Sequence, residues 1–132
     1  MKTNHKVTLA LIAGVFVSGA AINGLHAQSN APVYVILEID VSDQDAFLKK
    51  YAVKSRSLGR TFGGRILAAG SGKITPIEGE PPKSRVVVLQ WENLEKVQAW
   101  VNSPEYKELR KIGDKYAKFR IFAVEGLPQS ER

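Results

Sequence analysis

Val33-Tyr34-Val35-Ile36-Leu37-Glu38-Ile39-Asp40-Val41 is the stretch on which the fold turns. Val33, Val35, Leu37, Ile39 and Val41 alternate with Tyr34, Ile36, Glu38 and Asp40. Side chains point to opposite faces of a strand with period two, so this β-branched run predicts a strand. Its first face is wholly apolar. Its second carries Tyr34 and Ile36 as well as two acids, so neither face suits bulk water throughout.

Reading onward, Ser42-Asp43-Gln44-Asp45 predicts a helix start, with Ser42 as cap and the two Asp at the positive helix end. Phe47, Leu48, Tyr51, Ala52, Ser55 and Leu58 fall on one face at helical spacing. The helix should stop before Phe62-Gly63-Gly64. Arg65–Ala69 predicts a second strand, turned by Gly70-Ser71-Gly72. Lys73–Glu78 is expected as a short hairpin arm broken by Pro76, and the segment through Pro81-Pro82 as a loop. RVVVLQW (Arg85–Trp91) predicts a third strand. Asn93 should cap a helix that turns Leu94, Val97, Trp100 and Val101 inward. Ser103-Pro104 opens another helix, expected to reach about Lys118, and Arg120–Glu125 reads as the last strand.

The order is β-α-β-β-α-β, a ferredoxin-like α+β fold with an antiparallel sheet and helices on one face. Val86–Leu89 and Ile121–Val124, like Val33–Val41, are apolar in both phases. An open antiparallel sheet normally presents one polar face to water. The cheapest cover for a second apolar face is the same sheet from another copy, so the sequence predicts a homodimeric α+β barrel.

Upstream, the chain changes character. Lys2 and Lys6 lie in a region with no acid before Glu38, Val7–Ala21 reads VTLALIAGVFVSGAA, and Leu25-His26-Ala27 precedes polar Gln28-Ser29-Asn30. A positive start, an apolar middle and a small residue at the cut describe a secretory leader. The expected organisation is a leader over 1–27, a linker over 28–32, the domain over 33–127 and a polar tail over 128–132. The product would be exported, periplasmic or extracellular. The alternative is an uncleaved anchor, since Val7–Leu25 approaches the ~20 residues that span a bilayer.

Cleavage after Ala27 removes His5, His26 and Met1, and the chain has no Cys. The mature domain then lacks an imidazole base, a thiolate nucleophile and soft-metal ligands. Haem held by His, Cys or Met is excluded on the same ground. Any acid–base work falls to carboxylates, Tyr, Lys or Arg. The 19 basic residues, less Lys2 and Lys6, against 13 acidic ones leave a charge of +4. No P-loop or dinucleotide fingerprint occurs, and neither a cofactor nor a metal is expected.

The segments Tyr34-Val35-Ile36, Gly63-Gly64-Arg65, Glu78-Gly79, Pro82-Lys83-Ser84-Arg85-Val86-Val87, Ala99-Trp100-Val101-Asn102-Ser103-Pro104-Glu105-Tyr106 and Val124-Glu125-Gly126 together resemble the DUF1330 family over nearly the whole mature chain. The resemblance implies a dimeric ferredoxin-like barrel and a family without an established reaction. Two positions depart from its pattern: Ala69 where relatives often carry arginine, and Val101 where they often carry tyrosine.

Arg65 and Arg85 open two strands, and Glu38 and Asp40 close the first. Converging at one barrel mouth, with Glu78 from the adjacent loop, they would orient a small organic acid, because guanidinium groups bind carboxylates bidentately. In that arrangement Glu38 or Glu78 would serve as base of a cofactor-independent enzyme. Tyr34, on the face away from the helices, is a further pocket residue, and Tyr106 is a minor one. Ion pairing that closes the sheet or the dimer is the alternative explanation of the charged residues, and capping explains Ser103-Pro104-Glu105-Tyr106. Trp91 and Trp100 read as core anchors. Lys107, Arg110, Lys111, Lys115 and Lys118 would share one helix face, either solvated or weakly touching an anionic surface. Nucleic acid is not an expected partner, since no aromatic residue interleaves these charges. The function reading is therefore an exported homodimer binding a small organic molecule. The alternative is a non-catalytic binding or interaction module of the cell envelope.

Overall fold

The computed structural model describes residues 31–71, 73–83 and 85–131. The expected leader lies outside them, as does the linker up to residue 30. Among the described residues no helix is long and apolar enough to cross a membrane.

β1 (Val33–Val41) is the central strand. A helical segment follows in three pieces: α1 (Gln44–Ala46), a π-helical stretch (Phe47–Ala52) and α2 (Val53–Thr61). Then come β2 (Arg65–Ser71), β3 (Arg85–Trp91), α3 (Leu94–Asn102), α4 (Pro104–Gly113) and β4 (Ala117–Glu125), with a short 3₁₀ turn at Gln129–Glu131. The sheet order is β2-β3-β1-β4, with every pair antiparallel. This is the expected ferredoxin-like α+β topology. Residues 31–32 belong to it: Ala31 is buried, and the Pro32 carbonyl accepts from Gly126 N at 2.7 Å.

Val33, Val35, Leu37 and Ile39 are buried beneath the helices with Phe47, Tyr51, Leu89, Val97 and Ala117. Trp91 and Trp100 stack within this layer, as their expected core role requires. Among the described residues no helix covers the other face. Register places Ile36 between Val88 and Phe122, Tyr34 between Gln90 and Val124, and Glu38 between Val86 and Arg120. Phe122 is 38% and Val124 48% exposed. An apolar strip thus crosses the uncovered side of the sheet, flanked by charge.

Local signals set most boundaries. Asn93 accepts from Lys96 N and Ser103 from Tyr106 N, each capping its helix as expected. At the end of α2, Gly64 N donates to Gly59 O and Gly63 N to Arg60 O, the paired bonds of a Schellman stop, with Gly63 at φ 98°.

Five expectations need correction. The first cap is Asp43, which accepts from Ala46 N, because the Ser42 hydroxyl donates instead to the Tyr116 carbonyl. No strand forms over residues 73–83: Pro76, Pro81 and Pro82 lack a ladder donor, and Ile77 is fully out in solvent. α4 ends at Gly113 rather than Lys118, since a Cβ there would meet the Tyr51 ring at 2.7 Å and chain beyond it turns to pair with β1. Lys115 and Lys118 therefore leave the helix. Arg110 folds over the Phe119 ring at 3.9 Å and pairs with Asp114, so the continuous basic stripe does not form. Leu48 and Leu94 also point outward rather than into the core.

Candidate functional site

A cavity of about 70 Å³ lies between the first helical segment and the β2–β3 side of the sheet. Its origin is legible in residue size. The helix turns Ala52, Ser55 and Gly59 towards the sheet, and β2 answers with Ala69. Protein interiors otherwise pack to crystal-like density, so small groups on both sides leave a void. A Cβ added at Gly59 would meet nothing within 4 Å. The π-helical stretch supplies Phe47 and Tyr51, whose rings tilt together at 5.3 Å along one wall. Single π turns inside α-helices recur at functional sites. Leu37, Val87 and Leu89 form the floor.

Arg85 gives this apolar space its charge. It is only 8% exposed, and its Nε is buried without a hydrogen-bond partner among the described residues. Its guanidinium carbon stands 5.4 Å from the Phe47 ring centre, a cation–π contact that compensates little of the lost hydration. Burial pulls the Arg85 pKa down, and the charge of Arg56 pulls it further. Arg56 and Arg60 line the same cavity. Among the described residues no carboxylate pairs with any of these three arginines. Burial pushes the Tyr51 phenol up from its ordinary value, against a smaller opposing effect of its hydrogen bond with Ser55. It stays neutral at physiological pH, able to donate or accept.

The residues singled out from sequence are not all brought together. Arg65 faces the uncovered side, bonded to Gln90, at the end of β3 remote from Arg85. Arg85 pairs in register with Ile39 and lies on the helix side. The two guanidinium groups are thus separated by the sheet and by its length, and no common mouth holds them within one chain. Glu38, on the uncovered face, pairs with Arg120 at 3.2 Å, and Asp40 approaches Lys83 at 4.0 Å. Tyr34 shares that face beside Val124. Glu78 is exposed in the loop. Tyr106 packs edge-on against Trp100 at 4.9 Å, its hydroxyl accepting from Arg110, as a structural residue would. No group of His, Cys, Asp or Glu suited to a metal occurs among the described residues.

Phe47, Tyr51, Ser55, Arg56 and Gly59 were not marked as site residues by sequence reasoning. The available signal was Ala52, Ser55 and Gly59 at helical spacing, a small-residue stripe where a core-facing helix usually carries bulk.

Comparison with known proteins agrees with this architecture. The family model described as "Domain of unknown function (DUF1330)" matches residues 32–127. A protein of unknown function from Rhodopseudomonas palustris superposes with a TM-score of 0.57 at 14% identity, covering 74% of this chain and 84% of that one. HapK from Hahella chejuensis gives 0.53 at 15%, covering 72% and 92%. An uncharacterized NIPSNAP-like domain protein from Burkholderia xenovorans gives 0.51 at 18%, covering 79% and 90%. At these identities the likeness is one of fold. No curated protein matches the chain.

Proposed function

The chain belongs to the DUF1330 family, and from that premise we propose that it is an exported, homodimeric domain that binds a small organic molecule in the cavity beneath its first helix. The cavity carries the reading. A core built from Trp, Phe, Leu and Val leaves one apolar space open, where Ala52, Ser55, Gly59 and Ala69 withhold volume. Small-molecule sites are typically concave, mostly apolar, and furnished with a few polar groups. Tyr51, Ser55 and Arg85 are such groups here.

Dimerisation follows from the other side of the sheet. Ile36, Val88, Phe122 and Val124 make an apolar strip that no helix among the described residues covers, and a second copy turned face to face would bury it. Glu38, Arg120 and Asp40 would then rim the interface rather than serve a reaction. Glu38 lies across the sheet from the cavity and is already paired. The reading is accordingly binding, with no turnover required of Glu38 or Glu78. Export rests on the leader over residues 1–27.

Native mass spectrometry of protein made with its leader and purified from the envelope fraction tests all three parts. The expected species is two chains beginning at Gln28, with a small organic mass released on activation. A monomer, an intact leader or a ligand-free dimer would each remove the corresponding part.

A further inference from the structure

The polar groups of the cavity do not balance. Arg85 is more than nine-tenths buried, its Nε has no partner among the described residues, and the charge that acts on it, Arg56, is another cation. A buried charge is ordinarily paired, because the desolvation cost is otherwise uncompensated. A second copy seated on the uncovered face cannot supply the counterion, since Arg85 lies on the helix side of the sheet.

We propose that the cavity takes the carboxylate of a small organic acid, held by the Arg85 guanidinium, with the acid's apolar body against Phe47 and the sheet. This rests on the ligand-binding reading above and names its ligand class. Guanidinium groups pair with carboxylates bidentately, and among the described residues no carboxylate takes that role for Arg85. Arg56 and Arg60, at the solvent side of α2, add positive potential along the way in. Tyr51 and Ser55 can bond the second carboxylate oxygen. Size limits the body: at 10–15 Å³ per water-sized position, 70 Å³ holds about five to seven such groups. An inorganic phosphate would match the charge but leave the apolar wall unused.

Calorimetric titration of the processed protein with propionate, butyrate and valerate, each against its amide, and with inorganic phosphate, tests the proposal. The acids should bind about tenfold or more tighter than the amides, as expected for a charge-assisted pair. Arg85→Met should abolish that preference while leaving the amide affinity in place, and the ligand-free variant should melt no lower than wild type, since a buried unpaired charge has gone. Arg56→Gln, at an exposed position, should weaken the acids alone by about threefold. Equal binding of acids and amides would overturn the proposal and leave the cavity as a neutral site. Binding of none of the organic compounds would remove both readings. Phosphate binding as tightly as the acids would overturn the organic-acid assignment. An Arg85→Met variant that melts lower and keeps its acid preference would make Arg85 a packing residue.

Discussion

Gly64 lies directly against the indole of Trp91: a Cβ at that position would stand 2.6 Å from Trp91 Cζ2 and 3.0 Å from the Gly59 carbonyl. Trp91 in turn stacks on Trp100 at 5.1 Å, so neither ring has room to retreat. Gly64→Ala should therefore destabilise the domain by about 1–3 kcal/mol through overpacking. Urea unfolding followed by tryptophan fluorescence reads this directly, and a loss under about 0.5 kcal/mol would mean the indole pair yields more easily than its packing implies.

Five residues earlier the same substitution should act in the opposite direction. Gly59 is inside α2 and a Cβ there enters open space. Gly59→Ala reduces backbone freedom in the unfolded chain without a clash, and should stabilise by about 0.5–1 kcal/mol. A destabilised variant would show that the cavity is narrower than its walls suggest. Larger residues at this position should progressively close the site to ligand while the fold persists.

Much of this was legible in the sequence, for reasons that differ by element. Alternation in Val33–Val41 and caps at Asn93 and Ser103 are local, and each was read correctly from a few neighbours. The first cap was misplaced by one residue because Ser42 is claimed by the carbonyl of Tyr116, a partner 74 positions away. The end of α4 likewise depends on Tyr51 and Phe119 pressing on Gly113. Strand faces are harder still. Arg65 and Arg85 each open a strand, but Arg65 pairs with Gln90, five residues from Arg85 along β3, and that odd offset with the antiparallel turn puts them on opposite faces and ends. A cavity, finally, is an absence of volume, visible only when two distant small-residue patches are known to face each other.

Alkaline pH offers a test of the Tyr51 environment. Its folded-state pKa is raised, so the folded chain holds the phenolic proton to higher pH than the unfolded chain, whose ordinary value is about 10. Stability from this residue is intact below that value and is lost as pH climbs through the folded pKa. Comparing urea midpoints of wild type and Tyr51→Phe between about pH 8 and 11 should therefore show the gap moving in favour of the phenylalanine variant as pH rises. A constant gap would mean the phenol is better hydrated than its burial indicates.

Phe122 is central to the proposed pairing face, beside Ile36 in register and 38% exposed in the single chain. Phe122→Glu should weaken dimerisation by about thirtyfold or more, the effect of a central hot-spot residue, while the helix-side core stays intact. Sedimentation velocity across a concentration series separates the outcomes: a monomer with native circular dichroism is expected. An unchanged dimer would place the interface elsewhere.

β4 closes one side of the sheet, and its outer backbone groups face no other strand among the described residues. Such a row of free donors and acceptors is a template on which further chains can stack into ribbons. Lys118 sits near the start of this nine-residue border, beside Arg120 with its partner Glu38, so two copies stacking with their β4 strands parallel bring like charges together there. Growth into filaments is resisted by that repulsion, which strong salt should relax. Concentrated stocks of this protein would accordingly keep best in dilute buffer, an unusual handling rule that follows from where one strand happens to end the sheet.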